Sequence, residues 1–132
     1  MTEGIYHSLS CIYLRLNEQY FANQITAFVT WGKWGKRSPR FSSIRLGSYD
    51  ATKKLITIHP ALDQASVPRL CVERIVYHEM LHQKHPILKG KRGRRLIHTP
   101  SFRQDEKKFT GATLADQWFE QNIKNIFLKL MS

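Results

Sequence analysis

The sequence contains little cysteine. Only Cys11 and Cys71 occur among the 132 residues, and neither belongs to a C-x-x-C pair. Two cysteines cannot build the disulfide framework on which many small secreted domains depend. We therefore expect both thiols to be reduced and packed, as in a cytoplasmic protein.

Long apolar segments are also missing. No run of 18 or more apolar residues occurs, which argues against a transmembrane helix. The first ten residues, MTEGIYHSLS, lack the basic start and the apolar stretch of a secretory signal. With 132 residues, of which 42% are apolar, the chain is expected to form a single domain (1–132) in the cytoplasm, without a membrane partner.

Acidic residues are scarce relative to basic ones. Ten Asp and Glu stand against 21 Lys and Arg, which gives a net charge of +11. The excess is concentrated in KWGKRSPR (33–40) and KHPILKGKRGRR (84–95), neither of which contains an acid. Such clusters attract polyanions, and Trp31 and Trp34 near the first cluster could stack on nucleic-acid bases. Two interpretations stay open, a nucleic-acid contact and an ordinary solvated basic surface.

Hydrophobic periodicity predicts one compact α+β unit. Apolar residues have helical spacing near the N-terminus, alternate as in strands over the next three segments, and return to helical spacing afterwards. The predicted helices are 5–21, 69–84, 99–109 and 111–130, and the predicted strands are 24–31, 41–49 and 54–60. A helix, three strands and then three helices are typical of an α+β domain.

Proline and threonine support several of these boundaries. Pro68 stands before the helix 69–84, and Pro86 follows its end. Thr99 is the predicted N-cap of the next helix, with Pro100 in its first turn. The basic, glycine-containing segment between these two helices is expected to be a loop or a hairpin. The predicted apolar faces of the first and last helices are Ile5, Leu9, Ile12, Leu16 and Tyr20, and Leu114, Trp118, Ile123, Ile126 and Leu130.

The segment VYHEMLHQKHP (76–86) carries the strongest chemical pattern. His78 and His82 are four residues apart, so they share one face of the predicted helix, about 6 Å apart along its axis. Two imidazoles so placed can bind one metal ion, and zinc accepts neutral imidazole in a tetrahedral site. Glu79, at the edge of that face, can reach a metal-bound water and take its proton. The pattern H-E-x-x-H is typical of a zinc metalloprotease, and two surface histidines beside an acid are the alternative.

Four residues compete for the third ligand position that a catalytic zinc requires. His85 continues the helix face, but histidines spread over about 10 Å of a straight helix cannot all reach one ion, and we expect His85 to be exposed at the helix end. His59 ends a strand and is interpreted as a sheet-edge residue that does not ligate. His98, sixteen residues after His82 and directly before a helix, is the favoured ligand. Glu106 in that helix is the alternative.

Several segments resemble the SprT-like zinc metallopeptidase domain, a minimal gluzincin. LNEQYF (16–21) resembles the end of the N-terminal helix of that family, VTWGKWG its first strand, and LGSYDATKKLITIHPALD its central strand pair. IVYHEMLH resembles its active-site helix, and GRRLIHTPSFRQDEKKF resembles the H-G-x-x-F segment that supplies its third zinc histidine. The resemblance covers most of the chain.

This resemblance implies a zincin-like fold and a zinc-dependent endopeptidase. It implies Zn²⁺ bound by His78, His82 and His98, Glu79 as the general base, and a protein or peptide substrate, with DNA-associated proteins among the candidates. Thr99 stands where the family has a glycine after the third histidine, so the local backbone is expected to differ. The zinc ribbon of several family members has no counterpart, because the sequence has no C-x-x-C pair.

Weaker candidates accompany the motif. The hydroxyls of Tyr49 and Tyr77 could polarise a scissile carbonyl, although ring packing is the preferred interpretation. The predicted strand 41–49 could align an extended peptide if it lies at an edge of the sheet. The last helix could cover the cleft and keep an enzyme latent, although core packing is again preferred.

Two classes of function remain. In a zinc endopeptidase, Glu79→Gln abolishes cleavage while zinc stays bound. In a basic nucleic-acid-binding module with a structural or vestigial zinc site, Glu79→Gln has no consequence. The intact Glu79 favours the endopeptidase, because a structural site has no use for a carboxylate beside an open coordination position.

Overall fold

The observed secondary structure confirms the α+β class. The computed structural model of the chain describes residues 1–33, 45–89 and 95–131. Four helices, a three-stranded mixed sheet and a small two-stranded ladder make up the described elements. The helices are α1 (Leu9–Phe21), α2 (Arg69–Lys84), α3 (Pro100–Glu106) and α4 (Ala112–Met131), and the strands are β1 (Phe28–Trp31), β2 (Gly47–Asp50), β3 (Leu55–Ile58), β4 (Leu88–Lys89) and β5 (Arg95–Leu96).

Strand β3 is the centre of the three-stranded sheet. It pairs in parallel with β1, where Val29 faces Ile56, and antiparallel with β2, where Tyr49 faces Ile56 from the other side. Ile56 is fully buried, which is expected of a central strand. Among the described strands, β2 is therefore one of the two outer ones. Residues 41–44 of the predicted second strand lie outside the described part of the chain.

One hydrophobic core joins the helices to the sheet. Burying a large apolar side chain contributes about 1.5–3 kcal/mol, so this core is the main source of stability. Helix α2 lies at its centre and contacts α1, β2, β3, α3 and α4. The large, fully buried side chains include Leu9, Ile12, Leu16, Ile56, Ile58, Tyr77, Met80, Leu81 and Phe102. The helix that carries the H-E-x-x-H pattern is thus held on several sides.

Helix α2 has the predicted bounds. It begins at Arg69, directly after Pro68, whose extended backbone and missing amide hydrogen suit a position before the first turn. It ends at Lys84, where the N–H of His85 donates to Leu81 O at 2.8 Å. Pro68 and Pro86 therefore predicted both ends of this helix correctly.

Helix α1 begins at Leu9, whereas the periodicity predicted a start at residue 5. Ser8 is its N-cap, and its hydroxyl accepts a hydrogen bond from an amide of the first turn. The backbone N–H groups of residues 5–7 donate instead to the carboxylate of Asp63. These residues are therefore held by a distant acceptor and do not join the helix. Ile5 is 86% exposed and does not belong to the buried face.

Strand β1 begins at Phe28, four residues later than predicted. The buried side chain of Asn17 donates to Ile25 O at 2.8 Å and accepts from Ile25 N at 3.0 Å. These bonds occupy the backbone groups that a longer strand would pair. The predicted alternation is nevertheless correct, because Ile25 and Ala27 are buried and Phe28 is exposed.

Four smaller predictions also need correction. Strand β3 stops two residues early because Pro60 opens a 3-10 turn (Pro60–Leu62). Helix α3 ends at Glu106 instead of residue 109. Leu114 is exposed, so it does not belong to the apolar stripe of α4. Cys11 is exposed as well, whereas Cys71 is buried as expected.

Helix α4 packs against the N-terminal half of α2. The Cys71 thiol lies 4.0 Å from Ala115 O, and Arg74 Nε lies 3.2 Å from Asp116 Oδ1. These contacts favour core packing over a latency role for this helix. Within the described ranges, no helix is both long and apolar enough to cross a membrane.

Candidate metal centre

Three imidazoles converge between α2 and α3. His78 and His82 lie one turn apart on α2, and His98 directly precedes Thr99, the N-cap of α3. One nitrogen of each ring lies within 4.8 Å of a nitrogen of the other two, and the ring centroids are 5.1–5.2 Å apart. These three residues are close enough to bind one metal ion. They are the three that the sequence analysis selected.

A short ladder and a helix cap bring His98 back to α2. Strands β4 and β5 reverse the chain after α2, with Leu88 opposite Leu96, which agrees with the hairpin alternative. The hydroxyl of Thr99 then accepts from Phe102 N at 3.2 Å and starts α3, as predicted. Thr99 has a φ of −73°, which any residue adopts, so the glycine of the SprT-like pattern is not required here.

Phe102 packs against all three imidazoles and forms the buried base of the centre. It is fully buried, and its ring centroid lies 4.8 Å from that of His82, 4.9 Å from that of His98 and 5.2 Å from that of His78. An apolar ring in this position excludes water from one side and restricts rotation of the imidazoles. No role was predicted for Phe102. Its spacing of four residues from His98 was the available signal.

The local electrostatics favour neutral imidazoles. Burial and, to a smaller extent, repulsion by positive charge on His78 and His98 lower the pKa of His82 to about 4. Burial, followed by the charge of His78, also lowers the pKa of His98. Both rings are therefore uncharged at pH 7, the form in which histidine binds a metal.

Glu79 lies beside these imidazoles with a buried carboxylate. The residue is 6% exposed, and its Oε1 lies 4.0 Å from His82 Nε2. Burial raises the pKa of Glu79 to about 7, although positive charge on His78 and Arg45 opposes the rise. A Cβ on Gly47 would lie 3.0 Å from Glu79 Cγ, so the missing side chain on β2 leaves room for Glu79.

Glu106, the alternative third ligand, lies behind one of the imidazoles. Its Oε2 lies 2.5 Å from His78 Nδ1 and 3.2 Å from Arg74 Nη2. The hydrogen bond to His78 lowers the pKa of Glu106 to about 2 and outweighs the effect of burial, which raises it. The carboxylate is therefore ionised at neutral pH. Glu106 contacts one candidate ligand and is not one of the three converging residues.

The two other candidate histidines contact groups outside the candidate centre. His85 was predicted to be exposed, and this prediction is wrong. Its side chain is only 16% exposed, and its Nε2 lies 2.7 Å from Asp105 Oδ2. The end of α2 is covered because α3 packs against it. His59 accepts a hydrogen bond from Ala61 N at 3.0 Å and caps the 3-10 turn, and burial lowers its pKa. Neither belongs to the converging group.

Of the two tyrosines, Tyr77 is a core residue. Its ring stacks on Phe109 and its hydroxyl donates to Asp105 O at 2.5 Å. Burial raises the pKa of Tyr77 well above its usual value. The packing interpretation is therefore correct for Tyr77. Tyr49 on β2 is half-buried, and its role as a hydroxyl donor stays a prediction.

The basic clusters are only partly described. Of cluster 33–40, all but Lys33 lies outside the described residues, as does Trp34, and cluster 84–95 is described only at its ends. Lys84 Nζ lies 2.8 Å from Asp105 Oδ2, so this lysine is engaged within the protein. Trp31 is half-buried and packs against the core. The nucleic-acid contact stays a prediction.

Comparisons of the chain with models of protein families, with characterised proteins and with solved structures found no match. The likeness to SprT-like domains therefore rests on the sequence segments quoted above. The distances, burial and charges of the described residues stand independently of it.

Asp105 joins α3 to the end of α2. Its Oδ2 lies 2.8 Å from Lys84 Nζ and 2.7 Å from His85 Nε2, and its Oδ1 lies 3.0 Å from Lys108 Nζ. Burial by itself raises the pKa of Asp105, but hydrogen bonds from these three partners outweigh it and hold the pKa well below its usual value. Because α3 follows directly from His98, this cluster helps to fix the third histidine.

We expect Asp105→Asn to lower the free energy of unfolding by about 1–3 kcal/mol at pH 7. The folded-state pKa is below the unfolded value of about 4, so the contribution is present above about pH 4 and is lost as the pH falls further. The wild type should therefore lose more stability than the variant between about pH 5 and pH 2. Urea unfolding of metal-free protein measures this difference, with the exposed Glu120→Gln as a control. Equal acid sensitivity of wild type and Asp105→Asn would contradict the assignment.

Proposed function

We propose that the chain is a zinc-dependent endopeptidase of the SprT-like, zincin type. His78, His82 and His98 hold the zinc ion, and Glu79 is the general base. The observation that carries this proposal is the convergence of His98 on the H-E-x-x-H pair, beside a buried carboxylate. A protein or peptide is the substrate.

The donor set fits zinc. Three imidazoles and one open position are typical of catalytic zinc, whereas structural sites close with four protein ligands. Nitrogens at about 2.1 Å from a tetrahedral ion lie about 3.4 Å apart. The observed separations of up to 4.8 Å need only small side-chain rotations, and His98 is exposed enough to make them. Zinc is preferred to other imidazole-binding metals because of the H-E-x-x-H pattern.

Each residue around the zinc position has a separate role in hydrolysis. Bound zinc supplies Lewis acidity that activates water and polarises a peptide carbonyl. Glu79 accepts one proton of the attacking water at its carboxylate and delivers it to the nitrogen of the broken C–N bond. Phe102 excludes water from the base of the centre, and Gly47 leaves space beside the Glu79 side chain. The lowered pKa values of His82 and His98 keep these two rings neutral, the form that binds a metal.

Charge supports a second partner. A net charge of +11 attracts polyanions, so nucleic acid is proposed to contact clusters 33–40 and 84–95 and to present DNA-associated proteins as substrates. The alternative function is a basic nucleic-acid-binding module with a structural or vestigial zinc site. Among the described residues three ligands converge, which disfavours a structural site, since such a site has four.

Removal and return of zinc tests the proposal. Protein stripped with a chelator should not cleave unfolded basic proteins, and about one equivalent of zinc should restore cleavage, with the exposed Glu120→Gln behaving as the wild type. The same assay with single-stranded DNA tests the second partner, because stimulation supports DNA-associated substrates. DNA binding without any cleavage by zinc-loaded protein would contradict the endopeptidase and favour the binding module.

A further inference from the structure

Glu106 connects the candidate centre to α4 by way of Arg74 on α2. Its carboxylate contacts His78 Nδ1 at 2.5 Å and Arg74 Nη2 at 3.2 Å. Arg74 in turn lies 3.2 Å from Asp116 Oδ1 of α4. The Arg74 and Glu106 side chains are only 13% and 21% exposed, so water screens this pair weakly. A fixed chain of contacts therefore runs from α4 through Arg74 and Glu106 to an imidazole of the centre.

The contact selects one tautomer of His78. A carboxylate oxygen accepts hydrogen bonds, so the contact with Glu106 Oε2 assigns the hydrogen to Nδ1 of His78. The metal-binding form of histidine has a single N–H, so hydrogen on Nδ1 leaves the lone pair on Nε2. That nitrogen is then the one available for a metal shared with His82 and His98.

Glu106 and its neighbour Asp105 contact different parts of α2. The preceding residue, Asp105, already ties α3 to the end of α2 through Lys84 and His85. Glu106 is directed elsewhere, to the first histidine of the H-E-x-x-H pair. Carboxylates that accept from the second nitrogen of a ligating histidine orient the ring and raise its basicity.

We propose that Glu106 is a positioning residue of the metal centre. It holds His78 with hydrogen on Nδ1 and with Nε2 directed to the ion, and Arg74, braced by Asp116, holds Glu106. The inference rests on the proposed metal site and deepens it. It also gives Glu106 a role other than that of the alternative third ligand.

Zinc affinity of matched variants tests the role. In competition with a chromophoric chelator, Glu106→Ala should bind zinc about 10- to 100-fold more weakly than the wild type. Glu106→Gln should lose less, because its amide oxygen still accepts from Nδ1. Glu120→Gln neutralises an exposed carboxylate of α4 that has no part in this chain of contacts, and should stay within about twofold of the wild type.

A second readout separates positioning from mere stability. Long-range ¹H–¹⁵N spectra of metal-free protein should show the Nδ1–H tautomer of His78 in the wild type and in Glu106→Gln. They should show a mixture in Glu106→Ala, or in Glu106→Leu if the alanine variant does not fold. Equal zinc affinity in wild type and variant, or an Nε2–H tautomer in the wild type, would overturn the positioning role alone. A wild type that binds no zinc would overturn the proposed function as well. That outcome is seen in the wild type without any variant, so it is distinguishable from failure of the positioning role.

Discussion

Glu79→Gln is expected to lower the rate of peptide hydrolysis by about 100- to 10,000-fold while zinc remains bound. Glutamine has the shape of glutamate but cannot take a proton from water at pH 7. The Glu79 carboxylate is buried, and its Oε1 lies 4.0 Å from His82 Nε2, so no other described carboxylate is as well placed beside the open position. The measurement is kcat for zinc-loaded protein, with the zinc content of each sample determined.

Glu73→Gln is the matched control for this prediction. Glu73 lies on the same helix and is 5% exposed, against 6% for Glu79. Its carboxylate is paired with Arg15 at 2.9 Å and Arg69 at 3.4 Å, so its loss affects stability and not the centre. We expect folded Glu73→Gln to keep its activity. Activity in Glu79→Gln equal to that of the wild type would eliminate Glu79 as the general base.

Zinc is expected to stabilise the protein strongly, and His82→Ala to lose this effect. A ligand that binds only the folded state contributes roughly 4 kcal/mol at about 1,000 times its Kd. For a domain of this size that corresponds to a rise in Tm of roughly 10–20 °C. Removing one of three imidazoles leaves two donors, which is too few for a stable catalytic zinc site. Thermal unfolding with and without zinc measures the shift.

His98→Ala and His85→Ala separate the candidate third ligands. His98→Ala should lose the zinc-dependent rise in Tm, because His98 is in the converging group. His85→Ala should keep it, although its own Tm falls, since its Nε2 lies 2.7 Å from Asp105 Oδ2 and not at the centre. A full rise in Tm for zinc-loaded His98→Ala would return Glu106 to the position of third ligand.

The boundaries of α2 and the cap of α3 could be predicted because their signals are local. Pro68 limits the start of α2, and the Thr99 hydroxyl bonds to an amide only three residues away. The paired positions of His78 and His82 follow from the pitch of a helix. Each of these inferences uses residues within about one turn of each other.

The errors concern residues whose partners are distant in the chain. Periodicity placed Ile5 in α1, but Asp63, 58 residues away, binds its N–H. His85 was expected in solvent, but Asp105, 20 residues away, pairs with it. Neither contact could be predicted from the local pattern. Hydrophobic spacing does not show which distant carboxylate accepts a hydrogen bond from a given segment.

The sequence alone determined the α+β order of elements, the helix that carries His78, Glu79 and His82, and the excess of positive charge. It left His98 and Glu106 in competition. Only the tertiary structure separated them, by packing α3 on α2 so that His98 joins the pair and Glu106 contacts His78 from behind. The reason is physical: helix pitch sets the distance between neighbours four residues apart, whereas the distance between residues on two helices depends on how those helices pack.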